Sequence, residues 1–157
     1  MPKRIKIGDV VEIKTKNGMA YAQFVYKHDR PPKYGALIRV LPGNFSKRPA
    51  SFSELVKKRE RFVVFFPLGA AVNRGLVTVV ANEAIPEHAK KFPIFRVGGL
   101  RDQHGKVKSW SLWDGQRTWK VGELTPAQRK LPISGIVNLT ALVMRIDSDW
   151  TPEKDKA

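Results

Sequence analysis

The longest apolar run in this chain, FVVFFPLGAAV at 62–72, is cut by Pro67 and Gly69. It falls short of the ~18 residues that cross a bilayer, so the pattern predicts short β-strands and tight turns. In IKIGDVVEIKT at 5–15, the apolar residues at 5, 7, 11 and 13 fall on one strand face, interrupted at Gly8-Asp9. Lys16-Asn17-Gly18 predicts a hairpin turn, because Asn and Gly tolerate positive φ. AYAQFVYKH then sets Ala20, Ala22, Phe24 and Tyr26 against Tyr21, Gln23 and Val25. Arg30-Pro31-Pro32-Lys33 predicts a loop, since prolines donate nothing to a ladder, and GALIRVL from Gly35 to Leu41 a third strand stopped by Pro42-Gly43.

Beyond a polar basic loop at 44–50, Ser51 or Ser53 is positioned to cap a short helix through Lys58, with Phe52 and Leu55 inward. RFVVFFPL from 61 reads as a strand buried on both faces, and LVTVVA from 76 as its hairpin partner across Asn73-Arg74-Gly75. FPIFRVGG from 92 is a further β segment, and WSLWDGQRTWKVG at 110–122 a hairpin turning at Asp114-Gly115. Thr125-Pro126-Ala127-Gln128 marks a short helix start. Asn138 is placed to cap a closing helix whose Leu139, Leu142, Val143 and Ile146 share one face. The expectation is an α+β, mainly β chain: an antiparallel, strongly curled sheet or SH3-like barrel, with a short mid-chain helix and a C-terminal helix packed on the sheet. A single domain over 1–157 is expected, comprising an N-terminal β-meander at 5–43, core strands at 51–122, a helical part at 125–148 and a disordered tail at 151–157.

Length and composition narrow the chemistry. At 157 residues the chain is too short for a (β/α)₈ barrel or a two-domain dinucleotide enzyme. It contains no cysteine, which removes disulfides, thiolate metal sites and a Cys nucleophile. Asp9 and Glu12 interrupt the stretch where a signal peptide would need its apolar region, so a cytoplasmic protein without membrane association is expected. The net charge is +15, with 15 basic against 5 acidic residues in 1–61. Such a field draws in nucleic acid, anionic membrane or an acidic protein alike, and equally describes a solvated surface that keeps the chain soluble.

No residue set argues for catalysis. His28, His88 and His104 lack the spacing of metal ligands, and His28 and His104 sit in polar turns where surface histidine is expected. Ser109, His104 and Asp102 assemble a triad only on paper, for no nucleophile elbow is present. Glu83 with Glu87, and Asp147 with Asp149, read more simply as solvated groups than as an acid–base pair. No catalytic residue, metal ligand or cofactor is therefore expected.

Two clusters remain as candidates for binding. Lys47 and Arg48 before the short helix, and Lys57, Lys58, Arg59 and Arg61 after it, put six cations at one corner, suited to a partner or to phosphates. Part of this is equally explained by cations meeting a helix C-terminus. Trp110 and Trp113 have opposite strand parity, which makes them interface candidates, whereas Trp119 is expected in the core.

GDVVEIK at 8–14, AYAQFV at 20–25, YGALIRVLPG at 34–43, FFPL at 65–68, FPIFR at 92–96, the tryptophan hairpin and the closing helix before Asp149-Trp150 together resemble the Immunity protein 26 family, also labelled with small phosphotriesterase-like proteins. The resemblance spans 5–151 and implies a bacterial cytosolic protein that binds and neutralises a toxin encoded nearby. A charge of +15 departs from immunity proteins that mimic nucleic acid, and it favours a toxin with an acidic face. A nucleic-acid-binding small β-barrel stands as the alternative, and a phosphotriesterase-like hydrolase as a second, although the histidine spacings supply no metal set for it.

Overall fold

The computed structural model describes residues 4–157. The chain divides into two compact units, one built from the chain up to Lys91 together with Gly135–Asp149, the other from Phe92–Ser134 and Trp150–Ala157. The expected helical part 125–148 is divided between the two units at Ser134 and Gly135.

The first unit holds an antiparallel sheet of five strands: β1 (Asp9–Thr15), β2 (Gly18–His28), β3 (Gly35–Val40), β4 (Phe62–Phe65) and β5 (Thr78–Asn82). Their order is β4-β3-β2-β1-β5, an open ladder with β4 and β5 at its ends. The β1–β2 turn forms where Asn-Gly predicts it, with Thr15 paired to Gly18. The predicted hairpin between the runs at 62 and 76 does not form. A helix, α1 (Leu68–Asn73), follows β4, and β5 crosses to pair with β1. Pro67 ends the strand, and Leu68, Ala71 and Val72 offer a buried helical face that outcompetes a tight turn. β1 alternates less than its sequence implies: Val10, Val11 and Ile13 are all buried while Ile7, outside the strand, is half exposed.

A β-bulge decides which way the end of β2 faces. The β2–β3 register runs Ala22–Val40, Gln23–Arg39 and Phe24–Ile38, then Tyr26–Leu37 and His28–Gly35, leaving Val25 as an extra residue. The insertion reverses the alternation, so Tyr26 and His28 lie on the face of Leu37 and Arg39, opposite to Phe24. That separates Tyr26 from Ala20, Ala22 and Phe24, with which strict alternation groups it.

The Gln23–Arg39 face is closed by residues 41–61. Phe52, Leu55 and Val56 are buried with Val10, Tyr21 and Leu41, and Phe45 packs on the same cluster. Tyr21 meets Phe52 and Phe45 edge-on, with centroids 4.8 and 5.5 Å apart. Each fully buried side chain of this size contributes roughly 1.5–3 kcal/mol. The expected mid-chain helix is only a 3₁₀ turn at Leu55–Lys57 without a side-chain cap, and Ser51 instead accepts a hydrogen bond from the Ser53 amide. Helix α2 (Leu139–Asp147) forms as predicted: Asn138 Oδ1 accepts from the Ala141 amide at 2.8 Å, and Leu142 and Ile146 are buried.

The second unit holds β6 (Phe95–Gly98), β7 (Trp110–Trp113) and β8 (Thr118–Gly122) in that order, antiparallel. Thr125 and Gln128 form a reciprocal cap, each side chain accepting from the other's amide, ahead of a 3₁₀ turn at Gln128–Lys130. Residues 151–157 are not a loose tail. Pro152 starts a 3₁₀ turn and, like Ala157, is buried, because Arg96 and Arg129 donate to the Pro152 and Ala157 carbonyls.

Candidate functional site

The residues closing the Gln23–Arg39 face carry the basic corner, and beneath them lie two polar knots. In one, Arg39 is fully buried yet fully occupied. Its Nε donates to Glu60 at 2.9 Å, Nη1 to Gln23 Oε1 at 2.6 Å and Nη2 to the Lys58 carbonyl at 2.6 Å. Gln23 passes the network on by donating to the Glu83 carbonyl at 3.0 Å. Burying a guanidinium is costly unless its donors find acceptors, and here each of its three nitrogens does.

In the second knot, Glu12 accepts from the Tyr21 hydroxyl at 2.9 Å and from Arg48 Nε and Nη2 at 2.8 and 3.2 Å. The Arg48 hydrogen bond is the main reason the Glu12 carboxyl lies below its ordinary range, with burial opposing it. Burial, followed by the hydrogen bond to Glu12, pushes Tyr21 up to about 12. Glu12 and Arg48 stand 36 positions apart, which is why spacing rules gave no sign of their pairing.

The six cations of the predicted corner thus divide into two groups. Arg48 is held by Glu12, Lys57 by Glu54 at 3.0 Å, and Arg61 by Asp149 at 3.2 Å together with the Ile146 carbonyl at the end of α2. Lys47, Lys58 and Arg59 are exposed and have no carboxylate partner among the described residues. A three-residue 3₁₀ turn carries little macrodipole, so helix-end electrostatics do not account for Lys58 and Arg59.

The tryptophans reverse their expected places. Trp110 and Trp113 are buried, whereas Trp119 is 38% exposed. Strand order is the reason: β7 is the central strand and is covered on both faces, while Trp119 lies on the edge strand β8. Trp113 packs against Phe92 and Phe95 with centroids 5.6 and 5.4 Å away. Trp110 donates to the Val107 carbonyl and carries the Arg96 guanidinium 4.9 Å above its ring. Arg96 is fully buried and donates to the Arg129 and Pro152 carbonyls, and burial draws it below its ordinary value.

The groups weighed for chemistry are engaged separately. Asp102 accepts from the backbone amides of His104 and Lys106, so it closes a turn and does not orient an imidazole. Glu87 is bound by Lys90, Asp147 by Asn17 and Asp149 by Arg61. Among the described residues, no three His, Asp or Glu side chains gather as a metal site. His28, expected at the surface, is buried among Tyr26, Tyr34 and Phe65 because the bulge at Val25 turns it onto that face. No helix among the described residues is long and apolar enough to cross a membrane. Set against known proteins, the chain matches no family model, no curated protein and no solved structure.

Proposed function

We propose that this chain is a non-catalytic, cytoplasmic, bacterial immunity-type protein that binds and neutralises a toxin encoded nearby, using its basic surface against an acidic face. The observation carrying this reading is the triplet Lys47, Lys58 and Arg59, exposed and without carboxylate partners among the described residues, in the segment packed over the Tyr21 core. Cations left unpaired in such a segment favour rapid encounter with an oppositely charged protein. Arg48, Lys57 and Arg61 support the surface by fixing that segment and the end of α2. In the same reading, the β1–β3 meander is the centre of a curled, SH3-like sheet.

The test is association kinetics with the product of the adjacent gene. Combined Lys47→Glu, Lys58→Glu and Arg59→Glu substitutions are expected to slow association at least tenfold at low salt and to matter little at high salt. An unchanged rate, or failure of the chain to protect cells from any adjacent gene product, overturns the reading. Turnover of a phosphotriester by the purified chain supports a hydrolase instead.

A further inference from the structure

The bulge at Val25 does more than reorient two side chains, because it gathers an aromatic cluster at the end of the first unit's sheet. Tyr26 and His28 on β2, Tyr34 just before β3 and Phe65 on β4 share one neighbourhood. The Tyr34 and Phe65 rings are 4.9 Å apart, Tyr26 and His28 6.4 Å, and His28 and Tyr34 6.5 Å. His28 is buried, whereas Tyr26 and Tyr34 are half-buried and keep part of their surface in water. Gly35, paired with His28 across the ladder, adds no side chain, and a Cβ built there meets nothing within 4 Å.

Cations lie close in sequence to these rings, although Lys27, paired with Ala36, falls on the opposite sheet face from Tyr26 and His28. Lys27, Arg30 and Lys33 are exposed on the strand end and the loop that follows. Lys27 lies 3.9 Å from Asp29, while Arg30 and Lys33 have no carboxylate partner among the described residues. Arg30 is close enough for its charge to act on His28. A partner recognised by charge alone would use the cations and leave the two partly exposed phenol rings idle. A ligand whose planar apolar groups alternate with anions uses both.

We propose that the Tyr26–Tyr34 cluster is a binding site for single-stranded nucleic acid, in which a base stacks on the tyrosine rings while flanking phosphates meet Arg30 and Lys33. The site lies outside the Lys47–Arg61 corner and does not depend on the protein-partner reading.

The test compares a labelled oligothymidine of about ten nucleotides with inorganic polyphosphate and with polyglutamate, by fluorescence anisotropy at low salt. The oligonucleotide is expected to bind more tightly than either polyanion lacking bases. Tyr34→Leu is expected to weaken the oligonucleotide roughly five- to hundredfold while sparing polyphosphate, and Tyr34→Trp to retain binding. The Arg30→Gln, Lys33→Gln double variant changes only exposed side chains, so its fold is not at risk. It is expected to flatten the slope of log affinity against log salt by about 1.4, at 0.7 per single-strand phosphate. Three results overturn the site: no oligonucleotide binding at low salt, equal affinity for the base-free polyanions, or an unchanged salt slope in the double variant.

Discussion

Glu12 is a carboxylate almost wholly removed from water and stabilised by two donors, Tyr21 and Arg48. Tyr21→Phe keeps the ring packing and deletes one hydrogen bond to the charge. The expected loss is about 1.5–3 kcal/mol, read as a lower urea midpoint at unchanged m-value. Because the folded Glu12 carboxyl lies below the ordinary 4.5, its contribution to stability is present above that value and disappears as pH falls through the folded pKa. Arg48→Ala removes the main cause of the depression, so the variant is expected to be less stable at neutral pH and to lose less further stability below pH 4.5 than the parent, as melting temperature against pH will show. His28 shifts in the same direction for a different reason. Burial, reinforced by Arg30, holds its pKa under 6.5. The unfolded chain therefore takes up this proton first as pH falls, and stability declines from about pH 6.5 down to the folded value. An NMR titration of the His28 ring is expected to give a midpoint below 6.5, and a midpoint above it contradicts the burial argument.

Elements differ in how openly the sequence announces them. Turn and cap chemistry is local, so the Asn17-Gly18 hairpin, the Thr125–Gln128 cap and the Asn138 cap are all legible from a few residues. Asn138→Ala is expected to cost about 1 kcal/mol, and Asn138→Asp to recover most of it in the same denaturation series. Pairing is not local. Nothing in LVTVVA specifies that β5 joins β1 and not β4, since that choice rests on α1 filling the intervening sequence. The bulge at Val25 is equally silent, for AYAQFVYKH alternates well until one residue is left over against β3. Trp110, Trp113 and Trp119 depart from the sequence expectation for a related reason: parity separates the two faces of a strand but does not tell a central strand from an edge. Of the candidate site, the cations themselves were legible, whereas two of the three carboxylates that occupy half of them come from distant positions, Glu12 for Arg48 and Asp149 for Arg61, and only Glu54 for Lys57 is local.

At the scale of the whole molecule, charge sets the response to solution conditions. A net +15 on 157 residues makes like-charge repulsion a standing cost of the compact state. Screening shortens its reach from about 30 Å at 0.01 M salt to about 8 Å at 0.15 M. Melting temperature is therefore expected to rise by a few degrees over that range of sodium chloride, and a flat or falling curve in calorimetry contradicts the repulsion argument. The route of the backbone has its own consequence. Lys91 leaves the first unit, and the chain re-enters it at Gly135 to supply α2. During synthesis, the five-stranded sheet must therefore wait, without its closing helix, until some fifty further residues have emerged from the ribosome, at roughly 5–20 per second. The first unit is exposed to the cell for seconds before its own last element arrives.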